Sequence, residues 1–264
     1  MSLTITLIQT QLHWEDKAAN RAMLQQKIER IKEKTQIVVL PEMFSTGFSM
    51  QPELLAETMD GPTVQWMREM AAAHRVILSG SLIIREGADY FNRLIWMLPN
   101  GQYGLYDKRH RFAFAGEDQH YTAGNKRMIA SVNGWKINLQ VCYDLRFPVW
   151  ARQNTGSASP EQPEYDLLIN VANWPQRRSL AWKTLLQARA IENQCYVVGV
   201  NRVGEDGNGI YYSGDSMVID PLGEILYHKA EDEDICTITL HKTKLEEVRS
   251  KFPFWRDADG FMIY

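Results

Sequence analysis

Two short runs, "QIVVL" at 36–40 and "DLLINVAN" at 166–173, constrain the fold more than any other feature of the chain. Each is almost uninterruptedly apolar and too short for a helix, which is the pattern of a strand covered on both faces. Covering both faces takes further layers, and helical patterns stand beside these runs to supply them. In "EDKAANRAMLQQKIERIKEK", Leu24, Ile28 and Ile31 repeat at helical spacing with charges opposite. "GPTVQWMREMAAAHR" reads as a helix with Pro62 in its first turn, and "RRSLAWKTLLQARAIENQ" as a helix of about five turns. The runs "LTITLIQ", "VILSGSLI", "NRLIWML", "GQYGLY", "KINLQV", "CYVVGVN", "SMVID", "GEILYH" and "ICTITL" read as strands, with Asn100-Gly101 and Asn133-Gly134 as hairpin turns. Thr243 and Glu246 have the spacing of a capping box before "KLEEVRSK". Strands and helices interleave, so an α/β protein with helices on its sheet faces is expected. Nothing of linker composition divides the 264 residues, and a single domain over 1–264 is expected, with "RQNTGSASPEQPEY" as a surface loop.

Composition narrows the function class. A net charge of −3 gives no nucleic-acid footprint, and the basic stretch "DKRHR" at 107–111 is too short to follow a phosphate backbone. The opening "MSLTITLIQT" lacks the basic and long apolar regions of a secretory leader, and no run is long enough to span a membrane. Three widely spaced cysteines, Cys142, Cys195 and Cys236, make no disulfide framework and suit a reducing compartment. A cytoplasmic protein is therefore expected. No cysteine or histidine spacing fits a zinc site, and "GEDGNG" lacks the spacing of a phosphate cradle, so neither metal nor cofactor is expected.

The candidate chemistry stands just past strand ends. Glu42 follows "QIVVLP", Lys108 follows "GQYGLY", and Cys142 follows "KINLQV", which is where open α/β sheets place their sites. A thiol nucleophile needs a base to take its proton and a group to stabilise an oxyanion. The six histidines stand in unsuitable settings and no serine has a G-x-S-x-G setting, so the carboxylate and the ammonium are the candidates for those roles. On spacing alone, solvated surface charges explain the same residues, and both explanations stay open.

Three stretches carry a resemblance. "VVLPEMFSTGF" around Glu42, "YDKRHRF" around Lys108 and "QVCYDLRFP" around Cys142 resemble, in order, the signatures of the nitrilase (carbon–nitrogen hydrolase) superfamily. The segments "KRHRFAFAGEDQHYTAG" and "VANWPQRRSLAWKTLLQARAIENQCYVVGVNRVGEDGNG" resemble its ω-amidase branch. The resemblance implies a four-layer αββα sandwich, a homodimer, and a catalytic set of Glu42, Lys108, Cys142 and a second glutamate, Glu117. It implies that the Tyr143 N–H joins Lys108 in holding the oxyanion, and that the substrate is the ω-amide of a small dicarboxylate such as 2-oxoglutaramate or 2-oxosuccinamate, with no cofactor. Rival expectations are a nitrile or N-carbamoyl hydrolase, a transferase that passes the acyl group to an acceptor other than water, and a non-catalytic binding protein.

Other residues carry expectations of their own. Trp174 is read equally as core and as pocket wall. Arg146 has two readings, a partner for a substrate carboxylate and a structural ion pair with Asp144 or another carboxylate, and its "LRFP" setting, shared across the family whatever the substrate, favours the second. Arg177, Arg178 and Arg202 are candidate anchors for a substrate carboxylate. Cys195 and Cys236 are expected in the core. Arg111 stands where many family members carry an aliphatic residue, a position expected near the pocket mouth.

Overall fold

A computed structural model describes residues 1–153, 162–261 and 263. The first half runs β1 (Ser2–Gln9), α1 (Lys17–Glu29), β2 (Ile37–Val39), α2 (Pro52–Leu55), α3 (Pro62–His74), β3 (Ile77–Glu86), β4 (Asp89–Met97) and β5 (Tyr103–Asp107). A short helix, α4 (Glu117–His120), leads into β6 (Met128–Val132), β7 (Trp135–Val141), α5 (Pro148–Ala151), β8 (Leu167–Val171) and α6 (Ser179–Asn193). The chain then continues through β9 (Tyr196–Val200), β10 (Val203–Glu205), β11 (Tyr211–Ile219), β12 (Ile225–Ala230), β13 (Asp234–His241) and α7 (Lys242–Lys251).

Two mixed sheets result. One has the order β13-β1-β2-β3-β4-β5, the other β10-β11-β9-β8-β7-β6, with β12 also paired to β11. At the heart of each lie three parallel strands, β1-β2-β3 and β7-β8-β9. Alternation along the strands sorts their side chains between layers. Ile37 and Val39 of β2 meet Ile137, Leu139, Ile169 and Val171 of the other sheet in a shared core. Val38 and Leu40 point the other way, under Leu24 and Ile28 of α1 and Val64 and Met67 of α3. On the far side, Leu168 and Val197 pack under Trp182 and Leu186 of α6. This is a four-layer αββα sandwich, and it explains why the two opening runs had to be apolar on both faces.

Local chemistry sets the element ends. Asp16 caps α1, its side chain accepting the Ala19 N–H, so the helix is shorter than its charge pattern reads. Asn133 and Gly134 both adopt positive φ, +47° and +75°, the two-residue turn that matches strand twist between β6 and β7. Thr243 does not cap α7. That helix starts at Lys242 with His241 as its cap residue, because β13 runs directly into it and leaves no extended residue at 243. Cys195 is fully buried beneath α6, as expected, whereas Cys236 is only half-buried on β13 at the edge of its sheet. Most of the stretch read as a surface loop, 154–161, lies outside the described residues. No helix among the described residues is long and apolar enough to cross a membrane.

The contact of α6 with its sheet is close enough to require glycine. A Cβ on Gly199 of β9 would lie 2.5 Å from Leu186 Cδ1 and 2.8 Å from Trp182 Cζ2. Gly199→Ala is therefore expected to destabilise the protein by about 1–3 kcal/mol through overpacking. Urea unfolding measures this, and a wild-type midpoint would show that α6 yields more readily than its packing implies.

Candidate active site

The carboxyl ends of strands from both sheets converge on one buried cluster. Glu42 lies three residues past β2, in a turn pinned to β3 by the Met43 N–H on Ser81 Oγ and the Phe44 N–H on the Ser81 carbonyl. Lys108 follows β5 directly, its N–H donating to the Asn92 carbonyl. Glu117 opens α4. Cys142 directly follows β7, and Asn173 stands two residues past β8. Glu42 and Glu117 are fully buried, and Lys108 is 1% exposed. Solvated surface charge is therefore not what these residues are.

Lys108 Nζ lies 2.9 Å from Glu42 Oε1 and 3.0 and 2.9 Å from the two oxygens of Glu117. Asn92 Nδ2 donates to Glu42 Oε1 at 2.8 Å and to Glu117 Oε1 at 3.2 Å, so it bridges the two carboxylates. The other Glu42 oxygen accepts the Asn173 N–H at 2.8 Å, while Asn173 Nδ2 donates to the Glu42 carbonyl. The Phe112 N–H completes the set on Glu117 Oε2 at 2.5 Å. Burial pulls the Lys108 ammonium toward neutrality, but Glu117 and Glu42 overcome it, and the net shift is upward. Burial raises the Glu117 carboxyl against the pull of Lys108, with the Glu42 charge adding to the rise.

Cys142 has a left-handed backbone, φ +45°, a conformation costly for a residue with a Cβ. Asp144 holds it there. The Asp144 carboxylate accepts the Val141 N–H at 3.1 Å, the His110 N–H at 2.9 Å and the Tyr106 hydroxyl at 2.7 Å. His110 Nδ1 lies 2.8 Å away, and Trp150 Nε1 donates to the same Tyr106 hydroxyl. The break in alternation at the end of β7 thus turns the thiol out of the sheet. Cys142 Sγ lies 3.9 Å from the Asn173 carbonyl, and the Glu42 charge acts on it. Tyr143 is the second residue of the 3-10 turn Cys142–Arg146, at the end of a helical turn where N–H groups lack intrahelical acceptors.

The thiol opens on a cavity of about 260 Å3, whose walls include Phe48, Phe112, Phe114, Tyr143, Trp174 and Tyr212. Trp174 turns out to be both core and wall. It is 3% exposed and packs on Trp182, yet it lines the cavity. Arg146, Arg177 and Arg178 line it as well. Among the described residues the expected ion pair of Arg146 does not form: Asp144 is consumed by the Cys142 turn, and the Arg146 guanidinium lies 4.9 Å over the Trp174 ring instead. Arg202 is buried behind the wall, 4.8 Å over the Tyr212 ring and bonded to the carbonyls of Leu12, Val203 and Glu205, so it is no anchor. Arg111 faces away, toward the carbonyls of Asp118 and Tyr121. Among the described residues, no group of three His, Cys, Asp or Glu side chains is placed to hold a metal ion.

The cluster has matching relatives. The carbon-nitrogen hydrolase family model matches residues 4–250. The chain belongs to the carbon–nitrogen hydrolase family. It is 44% identical to the omega-amidase YafV of Escherichia coli, over 99% of each chain. It is 32% identical to a 2-oxoglutaramate amidase of Bacillus subtilis, over 97% of this chain and 98% of that one. A crystal structure of a CN-hydrolase superfamily protein from Xanthomonas campestris, carrying an arsenic adduct in its active site, superposes over the whole of both chains with a TM-score of 0.97 and 45% identity. In this family member the fold brings together Glu42, Lys108 and Cys142, the residues that strand ends point to, with Glu117, which the resemblance implies. Sequence reasoning missed Asn92 and Asn173, although both carry the same signal, a polar side chain at the border of an apolar strand.

Burial, then the Glu42 charge, pushes the Cys142 thiol well above its ordinary range, against the opposing pull of Lys108. An acid whose pKa is raised keeps its proton as pH climbs through the usual value, so Cys142 rests as a thiol at neutral pH. The ultraviolet thiolate absorbance of wild type minus Cys142→Ser is expected to stay flat through neutral pH and to rise only above the range of a free cysteine, about 8.5. A thiolate step below neutrality would mean that Lys108 prevails over burial and Glu42.

Proposed function

We propose that this chain is a thiol amidohydrolase that releases ammonia from the ω-amide of small dicarboxylate monoamides, with 2-oxoglutaramate as the leading substrate. The observation that carries the chemistry is a thiol opening on a cavity while its carboxylate and ammonium partners are buried behind it. The names of the relatives, aligned end to end with this chain, support the substrate class.

The resting geometry supports the following sequence. Glu42 takes the thiol proton as Cys142 Sγ attacks the amide carbon, and the carbonyl π electrons move onto oxygen. The Tyr143 N–H and the charge of Lys108 stabilise that oxyanion. In the resting site Lys108 spends its N–H donors on Glu42 and Glu117, so a donor for the oxyanion is freed by lengthening one Glu117 bond. Glu42 returns its proton to the leaving nitrogen, the C–N bond breaks, and ammonia departs to leave a thioester on Cys142. A water molecule, deprotonated by Glu42, attacks the thioester carbon. The C–S bond breaks, the acid is released, and the proton on Glu42 restores the thiol. Glu117 acts as a positioning residue that aims Lys108. Trp174 and Asn173 shape the floor on which the amide lies.

A single hydrolase domain, a homodimer and a cytoplasmic setting belong to the same proposal. Exposed apolar side chains on the helices near the site, Val149 on α5 and Leu180 and Ile191 on α6, support a self-contact, and sedimentation tests it. The three unpaired cysteines support a reducing compartment.

Ammonia release from 2-oxoglutaramate tests the chemistry. Cys142→Ala is expected to abolish it, and Glu42→Gln and Lys108→Met to lower kcat by about a thousand-fold or more each, without adding in combination because the groups act as one unit. Cys195→Ala is expected to keep turnover and lose only the stability of a small cavity. Turnover that survives in a folded Cys142→Ala protein rules out the thioester route.

A further inference from the structure

Elsewhere among the described residues, the buried and half-buried arginines meet backbone carbonyls or acids: Arg109, Arg111, Arg152 and Arg202 bond to carbonyls, and others pair with carboxylates. Arg93 meets Asp107 and Glu86, Arg127 meets Glu164, Arg189 meets Glu192, and Arg249 meets Asp166. The cavity breaks that habit. Arg146, Arg177 and Arg178 all line it, no Asp or Glu lines it with them, and none of the three forms an ion pair among the described residues. Arg177 is exposed, whereas Arg146 and Arg178 are half-buried.

Arg178 is the more firmly built of the two. It ends the 3-10 turn Gln176–Arg178, and its carbonyl accepts Trp174 Nε1–H at 2.8 Å, which ties its backbone to the cavity floor. Its guanidinium sits 5.0 Å over the Phe112 ring, as that of Arg146 sits over Trp174. A guanidinium resting on an aromatic face keeps its in-plane N–H fork available for a carboxylate. Burial depresses its basicity, and the neighbouring charges of Arg177 and Arg146 depress it further, while Cys142 and Tyr212 act in the opposite sense. The charge is therefore held in a setting that an incoming anion improves, within electrostatic range of the nucleophile. The other walls of the cavity, among them Phe48, Phe114, Pro175 and Ile210, offer no competing charge.

We propose that Arg178, seconded by Arg146, binds the far carboxylate of the substrate and sets the preference of the enzyme for ω-amides of dicarboxylates over neutral amides. The assignment rests on the ω-amide activity proposed above. The substrate spans the cavity with its amide at Cys142 and its carboxylate in the Arg178 fork, and that remote contact holds the carbonyl in line for attack. The Phe112 shelf also couples the two ends, since the Phe112 N–H is bonded to Glu117.

The test compares kcat/KM for 2-oxoglutaramate with that for its methyl ester, following ammonia release in both. The ratio is internal to each preparation, so a variant that folds incompletely still reports it. Wild type is expected to favour the free acid by about 100-fold or more, the worth of a charge-assisted bidentate contact, and Arg178→Met to erase most of that preference. Arg178→Lys, which keeps the charge but not the fork, is expected to fall between. A wild-type preference that persists undiminished in Arg178→Met overturns the assignment and leaves the amidase intact. A wild type with no preference for the free acid overturns both the assignment and the dicarboxylate class.

Discussion

The ammonium of Lys108, buried between Glu42 and Glu117, is the interaction on which the rest of the site depends. Neither partner is tolerable there alone. Breaking one side of a buried ion pair typically costs about 3–5 kcal/mol, because the charge left behind has no water to solvate it. Two carboxylates facing one ammonium also need further donors, and Asn92, the Asn173 N–H and the Phe112 N–H supply them. Those donors come from β4, from the turn after β8 and from the loop before α4, so both sheets must be in place before the cluster is satisfied. The Phe112 bond has a second consequence. It fixes the loop that carries Phe112 and Phe114 into the cavity wall, so the buried ion cluster and the cavity wall share one anchor.

The strained backbone at Cys142 has a similar logic. A left-handed residue with a Cβ persists only where its surroundings over-determine it. Asp144 does so by gathering the Val141 N–H, the His110 N–H and the Tyr106 hydroxyl into one carboxylate, with His110 stacked 3.7 Å from Phe147 to close the side. An in-register cysteine at the end of β7 would have pointed along the sheet normal, into one packed layer or the other. The turn aims the sulfur between the sheets' strand ends, where Glu42 and the cavity are.

Much of this was legible in the chain. Period and apolarity located the strands, because burial on both faces leaves a compositional trace that tertiary context cannot erase. The strand-end position of Glu42, Lys108 and Cys142 was legible for the same reason. What was not legible depends on which partners the fold brings together. Arg146 sits two residues from Asp144, and sequence proximity suggested a pair, but Asp144 is occupied by residues 34 and 38 positions away in the chain. Thr243 and Glu246 had the spacing of a cap, yet β13 runs unbroken into α7 and supplies His241 instead. Cys236 had the neighbours of a core residue, but β13 is an edge strand, and an edge leaves half of a side chain uncovered. Asn92 and Asn173 were visible as polar residues at the borders of apolar runs, and only the crossing of two sheets gives them a shared purpose.

Charge is distributed in the site by depth. At the floor, the ammonium of Lys108 and the carboxylates of Glu42 and Glu117 compensate one another behind the thiol. At the wall, guanidinium groups stand without compensating acids among the described residues, in a protein whose net charge is −3. A concave, largely apolar wall with cations of one sign concentrates the field at its mouth and draws anions toward it. The same cations, placed at the floor, would compete with Lys108 for Glu42. The aromatic shelves under Arg146 and Arg178 keep the two populations apart, because a ring face holds a cation without offering it a carboxylate. Separation by aromatic side chains thus lets one small cavity carry cations in its wall and a compensated ion cluster behind its thiol.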